Sequence, residues 1–180
     1  MSVDINGWIE IRPYAASWHG AIRLDAFAPS NYDMFSCLFG VRPFAPFIPI
    51  AASRGLPDDI SEAASSNYLE WEEIFGESWI MWSEIQKIDW SEEVLDIRPH
   101  RYELTNGDLV FRGKASANDG DNVTEGAAWT ESGFVYRVEN ISRREALDGS
   151  REWRLLFQLM ESLTRDYGSE NVRMVVWFDC

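Results

Sequence analysis

The chain has 180 residues and a formal net charge of −14, from 30 acidic and 16 basic side chains. Apolar residues make up 46% of it, too many for a disordered segment, and the length suits a single domain spanning residues 1–180 with one core. A negative field of this size argues against duplex nucleic acid and membrane as partners, because phosphate-rich surfaces are met by basic stripes, and it favours a basic or mixed-charge protein partner.

From the N-terminus, Ile9 and Ile11 alternate with Trp8, Glu10 and Arg12, and Trp18, Gly20, Ile22 and Leu24 alternate with His19, Ala21, Arg23 and Asp25. The period of two predicts two strands paired as a hairpin. Ser30 as an N-cap and Gly40 as a left-handed terminator predict a short helix over 31–39. Pro43, Pro46 and Pro49 then impose an extended loop. Asp59 with Glu62, Ser83 with Gln86 and Ser142 with Glu145 have capping-box spacing, predicting helices that open near 60, 84 and 143, the second directly after an apolar strand over 78–82.

Asn106-Gly107 between alternating stretches predicts a hairpin over 102–112, and a second hairpin follows over 127–138. The turn formers of 114–126 read as a mobile surface loop. Trp153, Leu156, Phe157, Met160 and Leu163 repeat at helical spacing and mark the longest helix, which ends at Gly168. The last strand, 172–178, is apolar on both faces and belongs in the middle of a sheet. Helices and strands do not alternate regularly, so the expected class is α+β, with a mainly antiparallel sheet against one long helix and several short ones.

Motifs for phosphate cradling, serine hydrolysis and zincin chemistry are missing, and no cofactor is expected. His19 and His100 alone cannot supply a multi-histidine metal site, and neither Cys37 nor Cys180 has metal-ligand spacing. Without a leader-like N-terminus or an apolar run long enough to span a bilayer, the expected compartment is the cytoplasm. Adjacent Asp58 and Asp59 would suit a divalent ion or a shared proton, but a cap and a dipole-favoured acid account for them more simply. Asn118, Asp119, Asp121 and Glu125 lack calcium-loop spacing and read as solvated loop. Residues 58–97 carry twelve acidic side chains against Lys87 alone, with Trp71, Trp79, Trp82 and Trp90 among them. Aromatic anchors ringed by one sign of charge are what a docking face for a basic partner requires, although tryptophans alternating into a core beneath solvating acids give the same pattern.

Asn31-Tyr32-Asp33, Phe35, Gly40-Val41-Arg42, Arg54-Gly55-Leu56-Pro57-Asp58-Asp59-Ile60-Ser61 and Ser78-Trp79-Ile80 together resemble a group of uncharacterised phage and bacterial proteins with an N-Y-D-x-F…G-V-R…R-G-L-P-D-D-[VI]-S pattern. Members of that group often carry a His-Ser stretch where this chain has Gly76-Glu77-Ser78. The resemblance implies a phage or prophage setting and brings no activity with it. The leading expectation is therefore a non-enzymatic interaction protein that inhibits or modulates a host or defence protein. The alternative is a small polar-ligand protein, a nucleotide-signal sponge or a hydrolase, built on Tyr32, Asp33, Arg42, Arg54, Asp58 and Asp59. Arg42 or Arg54 is expected to pair with Asp33, Asp58 or Asp59, bringing 31–42 and 54–61 together.

Overall fold

The strand that the sequence marks as apolar on both faces, β10 (Val172–Asp179), lies inside a four-stranded antiparallel sheet with β1 (Asp4–Ile11), β2 (His19–Arg23) and β3 (Phe75–Met81), in the order β2-β1-β10-β3. This is a computed structural model describing residues 2–27, 29–116 and 124–180. Every residue from Val172 to Phe178 is buried, because both faces of the strand are covered. Phe178 meets the ring of Phe35 from α1 (Tyr32–Phe39) on one face, while Trp177 meets Tyr68 of α2 (Glu62–Tyr68) edge-on across the other. Gly7 lets β1 approach this strand: at its φ of +139°, an added Cβ would lie 2.0 Å from the Val175 carbonyl oxygen.

A short α3 (Trp82–Ile85) follows β3 directly. The longest helix, α5 (Arg151–Tyr167), is capped by Ser150 and buries Trp153, Leu156, Phe157 and Met160. Its predicted apolar stripe thus forms the core, together with Met34, Phe35, Leu38, Ile9, Ile80, Met174 and Val176. α4 (Arg143–Asp148) opens with the predicted box, in which the Ser142 hydroxyl accepts from Glu145 N and the Glu145 carboxylate accepts from Ser142 N. The protein is α+β as expected, and among the described residues no helix is long and apolar enough to cross a membrane.

The remaining strands form two further antiparallel sheets. β4 (Glu93–Leu95) pairs with β9 (Asn140–Ser142), and a four-stranded wing has the order β6-β5-β8-β7, from β5 (His100–Thr105), β6 (Asp108–Lys114), β7 (Ala128–Glu131) and β8 (Phe134–Arg137). Both predicted hairpins are present. Asn106 and Gly107 have φ of +54° and +93°, as a tight two-residue turn demands. The predicted loop over 114–126 begins later, because Lys114 belongs to β6; residues 117–123, including Asn118, Asp119 and Asp121, lie outside the described residues.

Three predicted caps move. Asn31 caps α1 in place of Ser30, its side chain accepting from Met34 N. Ser61 caps α2 in place of Asp59, because the Asp59 carboxylate is already taken by Arg173 and Trp18. The Ser83–Gln86 box does not form: α3 starts at Trp82, and the Glu84 carboxylate accepts from Met81 N.

Charged side chains tie the wing to the body. Asp96 is fully buried, and its carboxylate accepts from Arg98 and from Lys114 Nζ at 2.5 Å, with His100 Nε2 at 3.4 Å; Arg98 and Lys114 also hold Asp33 of α1. Burial alone would raise the Asp96 carboxyl, but hydrogen bonds from His100, Arg98 and Lys114 outweigh it and hold the group far below the usual carboxylate range. Because its folded-state value is depressed, the contribution of Asp96 to stability is complete above about pH 4 and is lost as the pH falls through the folded value. Asp96→Asn should therefore lower the melting temperature at pH 7 and flatten its dependence on pH below about 4. A melting curve with the same acid dependence in both proteins would show that the network does not couple to folding.

Candidate functional site

The predicted site residues of the two loops, with Trp79, fall into three places. Arg54, Asp58, Asp59 and Trp79 line a groove of about 670 Å³ with Arg12, Trp18 and Arg173. Tyr32 and Asp33 line a cleft of about 680 Å³ between α1, α4 and the wing. Arg42 borders a cavity of about 480 Å³ with Ser53, Phe75 and Gly76. The first two places are separated by the central sheet, since α1 packs on the Phe178 face of β10 whereas Asp59 binds Arg173, five residues along and on the other face.

The pairing expected of Arg54 is accordingly replaced. Arg54 makes a two-pronged bond to Glu84, with Nη1–Oε2 2.9 Å and Nη2–Oε1 2.7 Å, donates to the Ile50 and Trp79 carbonyls, and lies 5.0 Å over the Trp79 ring. Burial would raise the Glu84 carboxyl, yet the Arg54 bond holds it below its ordinary value. This arrangement fastens the 50–54 loop to β3 and α3. Asp59 binds Arg173 through Oδ1 at 2.7 Å and accepts from Trp18 Nε1 at 2.9 Å, while the Arg173 guanidinium sits 3.9 Å from the Trp18 ring centre. Beneath them Arg173 Nε meets Glu10 Oε2 at 2.7 Å, and Glu10 Oε1 accepts from Ser61 N. The hydrogen-bonding groups of Arg54, Asp59 and Arg173 are thus largely spent on joining segments of this chain to one another. Asp58 is exposed at the rim.

The tryptophans divide in a similar way. Trp82 is buried edge-on against Phe157, Trp79 lies under Arg54, and Trp90 sits between Phe157 and the Arg144 guanidinium. Trp71 is half-buried in a different setting, the exposed tip that joins α2 to β3. There Leu69 is 79% exposed and Phe75 38%, and the intervening Glu70, Glu72 and Glu73 point to solvent. Glu70 accepts from the Asn67 amide at 3.1 Å, and residues 55–86 contain no basic side chain at all. Glu73 also has a φ of +55°, a left-handed conformation costing about 1–3 kcal/mol for a side chain of this kind, and such strain concentrates at functional segments. The tip therefore combines large apolar side chains in water, exposed negative charge in a segment without basic residues, and a strained backbone.

Sequence reading passed over Glu10, Trp18, Asp96, Arg98, Lys114 and Arg173. The D-x-R-x-H spacing of Asp96, Arg98 and His100 was the one local signal for the wing network. Nothing local identifies Glu10 and Arg173, which meet across 163 positions. Among the described residues no group of three or more His, Cys, Asp or Glu is arranged to hold a metal ion. No family model, no curated protein and no solved structure matches the chain.

Proposed function

We propose that this chain is a non-enzymatic interaction protein that docks a basic or mixed-charge protein partner on the tip formed by residues 69–75, and so inhibits or modulates a host or defence protein. The phage or prophage setting rests on the resemblance of its N-Y-D-x-F and R-G-L-P-D-D segments. The observation that carries the reading is the 79% exposure of Leu69 beside Trp71, among three exposed glutamates in a segment without a basic side chain. Leu69, Trp71 and Phe75 supply apolar area that a partner would remove from water, and the carboxylates steer a cationic surface toward it and reject an anionic one.

The test is native mass spectrometry of the protein isolated from its own host, beside the triple variant Glu70→Lys/Glu72→Lys/Glu73→Lys. The wild-type chain should carry a basic protein that the variant loses, and added salt should weaken the complex because its steering charges are exposed. A protein retained equally by the variant would refute the assignment of the tip, and recovery of the wild-type chain with no protein bound would refute the function.

A further inference from the structure

The cleft between the wing and the body lies apart from the tip and has a different chemistry. One wall is aromatic: Tyr102 and Phe111 meet edge-on at 5.7 Å, His100 meets Phe111 at the same distance, and Phe111 is 50% exposed. The opposite wall is polar, from Asn31 and Asp33 at the start of α1 and Glu145 and Gly149 at the two ends of α4. A cavity of about 680 Å³ is ample for a small organic molecule.

The polar groups of the cleft differ in what they leave for a ligand. The Lys114 ammonium is held by Asp33 at 2.7 Å and by Asp96, and Arg98 by the same two acids, so these cations are neutralised within the network. Tyr102 donates its hydroxyl proton to Glu139 at 2.5 Å, and burial together with that carboxylate pushes the phenol up to about 12, leaving its ring rather than its hydroxyl to the cleft. Asn31 spends its oxygen on Met34 N and its amide on the Ala146 carbonyl. Glu145 keeps a whole oxygen for a ligand. Its Oε2 accepts both the N–H and the O–H of Ser142, whereas Oε1 accepts from no described residue, and hydrogen bonding to the Ser142 backbone keeps the group ionised. The cleft thus offers an exposed ring for stacking and a free anionic acceptor, while its cations are already matched and the −14 field repels phosphate.

We propose that this cleft binds a flat heteroaromatic molecule bearing N–H donors, a nucleobase or nucleoside rather than a nucleotide. The ring stacks on Phe111 and an amino group donates to Glu145. Saturation-transfer NMR on the whole protein, with adenosine, cytidine and adenosine monophosphate as probes, tests this directly. Adenosine or cytidine should receive saturation, Phe111→Ala should weaken binding about tenfold by removing the stacking face, and Glu145→Gln about fivefold by removing the charge. Gln still completes the capping box at this position and Phe111 is half in solvent, so both variants should keep the wild-type melting temperature. Adenosine monophosphate should bind more weakly than adenosine. Absence of transfer to both nucleosides, affinities unchanged in both variants, or tighter binding of the monophosphate would each overturn the proposal, the last by assigning the cleft to its cations.

Discussion

Replacing Arg173 with Met should lower the unfolding free energy by about 3–5 kcal/mol, the usual effect of stranding one member of a buried ion pair. Arg173 is 3% exposed and Glu10 is fully buried. Methionine keeps much of the volume beside Trp18 but removes the cation from its ring and all three hydrogen bonds of the Arg173 side chain: to Glu10 at 2.7 Å, to the Asp59 carboxylate at 2.7 Å and to the Asp59 carbonyl at 3.0 Å. The Glu10 carboxylate would keep only the Ser61 N–H as a hydrogen-bond donor. Desolvation of the abandoned charge, more than the lost attraction, sets the magnitude. For that reason Glu10→Met/Arg173→Met should be less destabilised than Arg173→Met alone. Urea unfolding of the three proteins decides it: a single variant within about 1 kcal/mol of wild type, or a double variant worse than the single, would show that the pair does not govern this face of the sheet.

Phe157→Ala should remove about 3–5 kcal/mol, because truncating a core aromatic loses both its transfer free energy and the packing of the cavity left behind. The ring is 7% exposed and meets Trp82, Trp90 and Trp153, at centroid distances of 5.9, 5.8 and 6.0 Å. Three large rigid rings held by separate segments cannot collapse far into the vacated space. Leu155, two positions earlier on the solvent side of α5, is the internal control, and Leu155→Ala should change stability by about 0.5 kcal/mol or less. Equal effects at the two positions would mean that α5 does not face the core as described.

Much of this architecture is legible in the residues themselves. Trp153, Leu156, Phe157 and Met160 mark the buried stripe of α5, Asn106-Gly107 marks a turn, and the unbroken apolar run of β10 marks a central strand, because each is a local pattern with a local physical cause. What escaped the reading depends on closure of the chain. Asn6 and Glu10 look like the wet side of a strand, but α2 and the 57–61 segment cover that face, and buried polar partners satisfy it. Arg54, expected to pair with Asp33, Asp58 or Asp59, instead meets Glu84, 30 positions on, because β3 and α3 present that carboxylate beside the loop. Asp33 met Lys114 of the wing, 81 positions away. Composition cannot choose among thirty carboxylates which one a given arginine will meet.

The Trp-rich acidic stretch shows the same limit. Its sequence reads as one face, yet alternation along β3 and the turn into α3 send Trp79 and Trp82 to different places, one under Arg54 and the other into the core. Only at the tip does the pattern stay together, where Leu69, Trp71 and Phe75 remain among Glu70, Glu72 and Glu73. The most direct measurement of the proposed role is amide hydrogen exchange on the partner complex isolated from the host, compared with the free chain. The docking account predicts slowed exchange concentrated in residues 69–77, with the wing unchanged. Protection of 98–116 and 134–138 with 69–77 exchanging as in the free chain would contradict it.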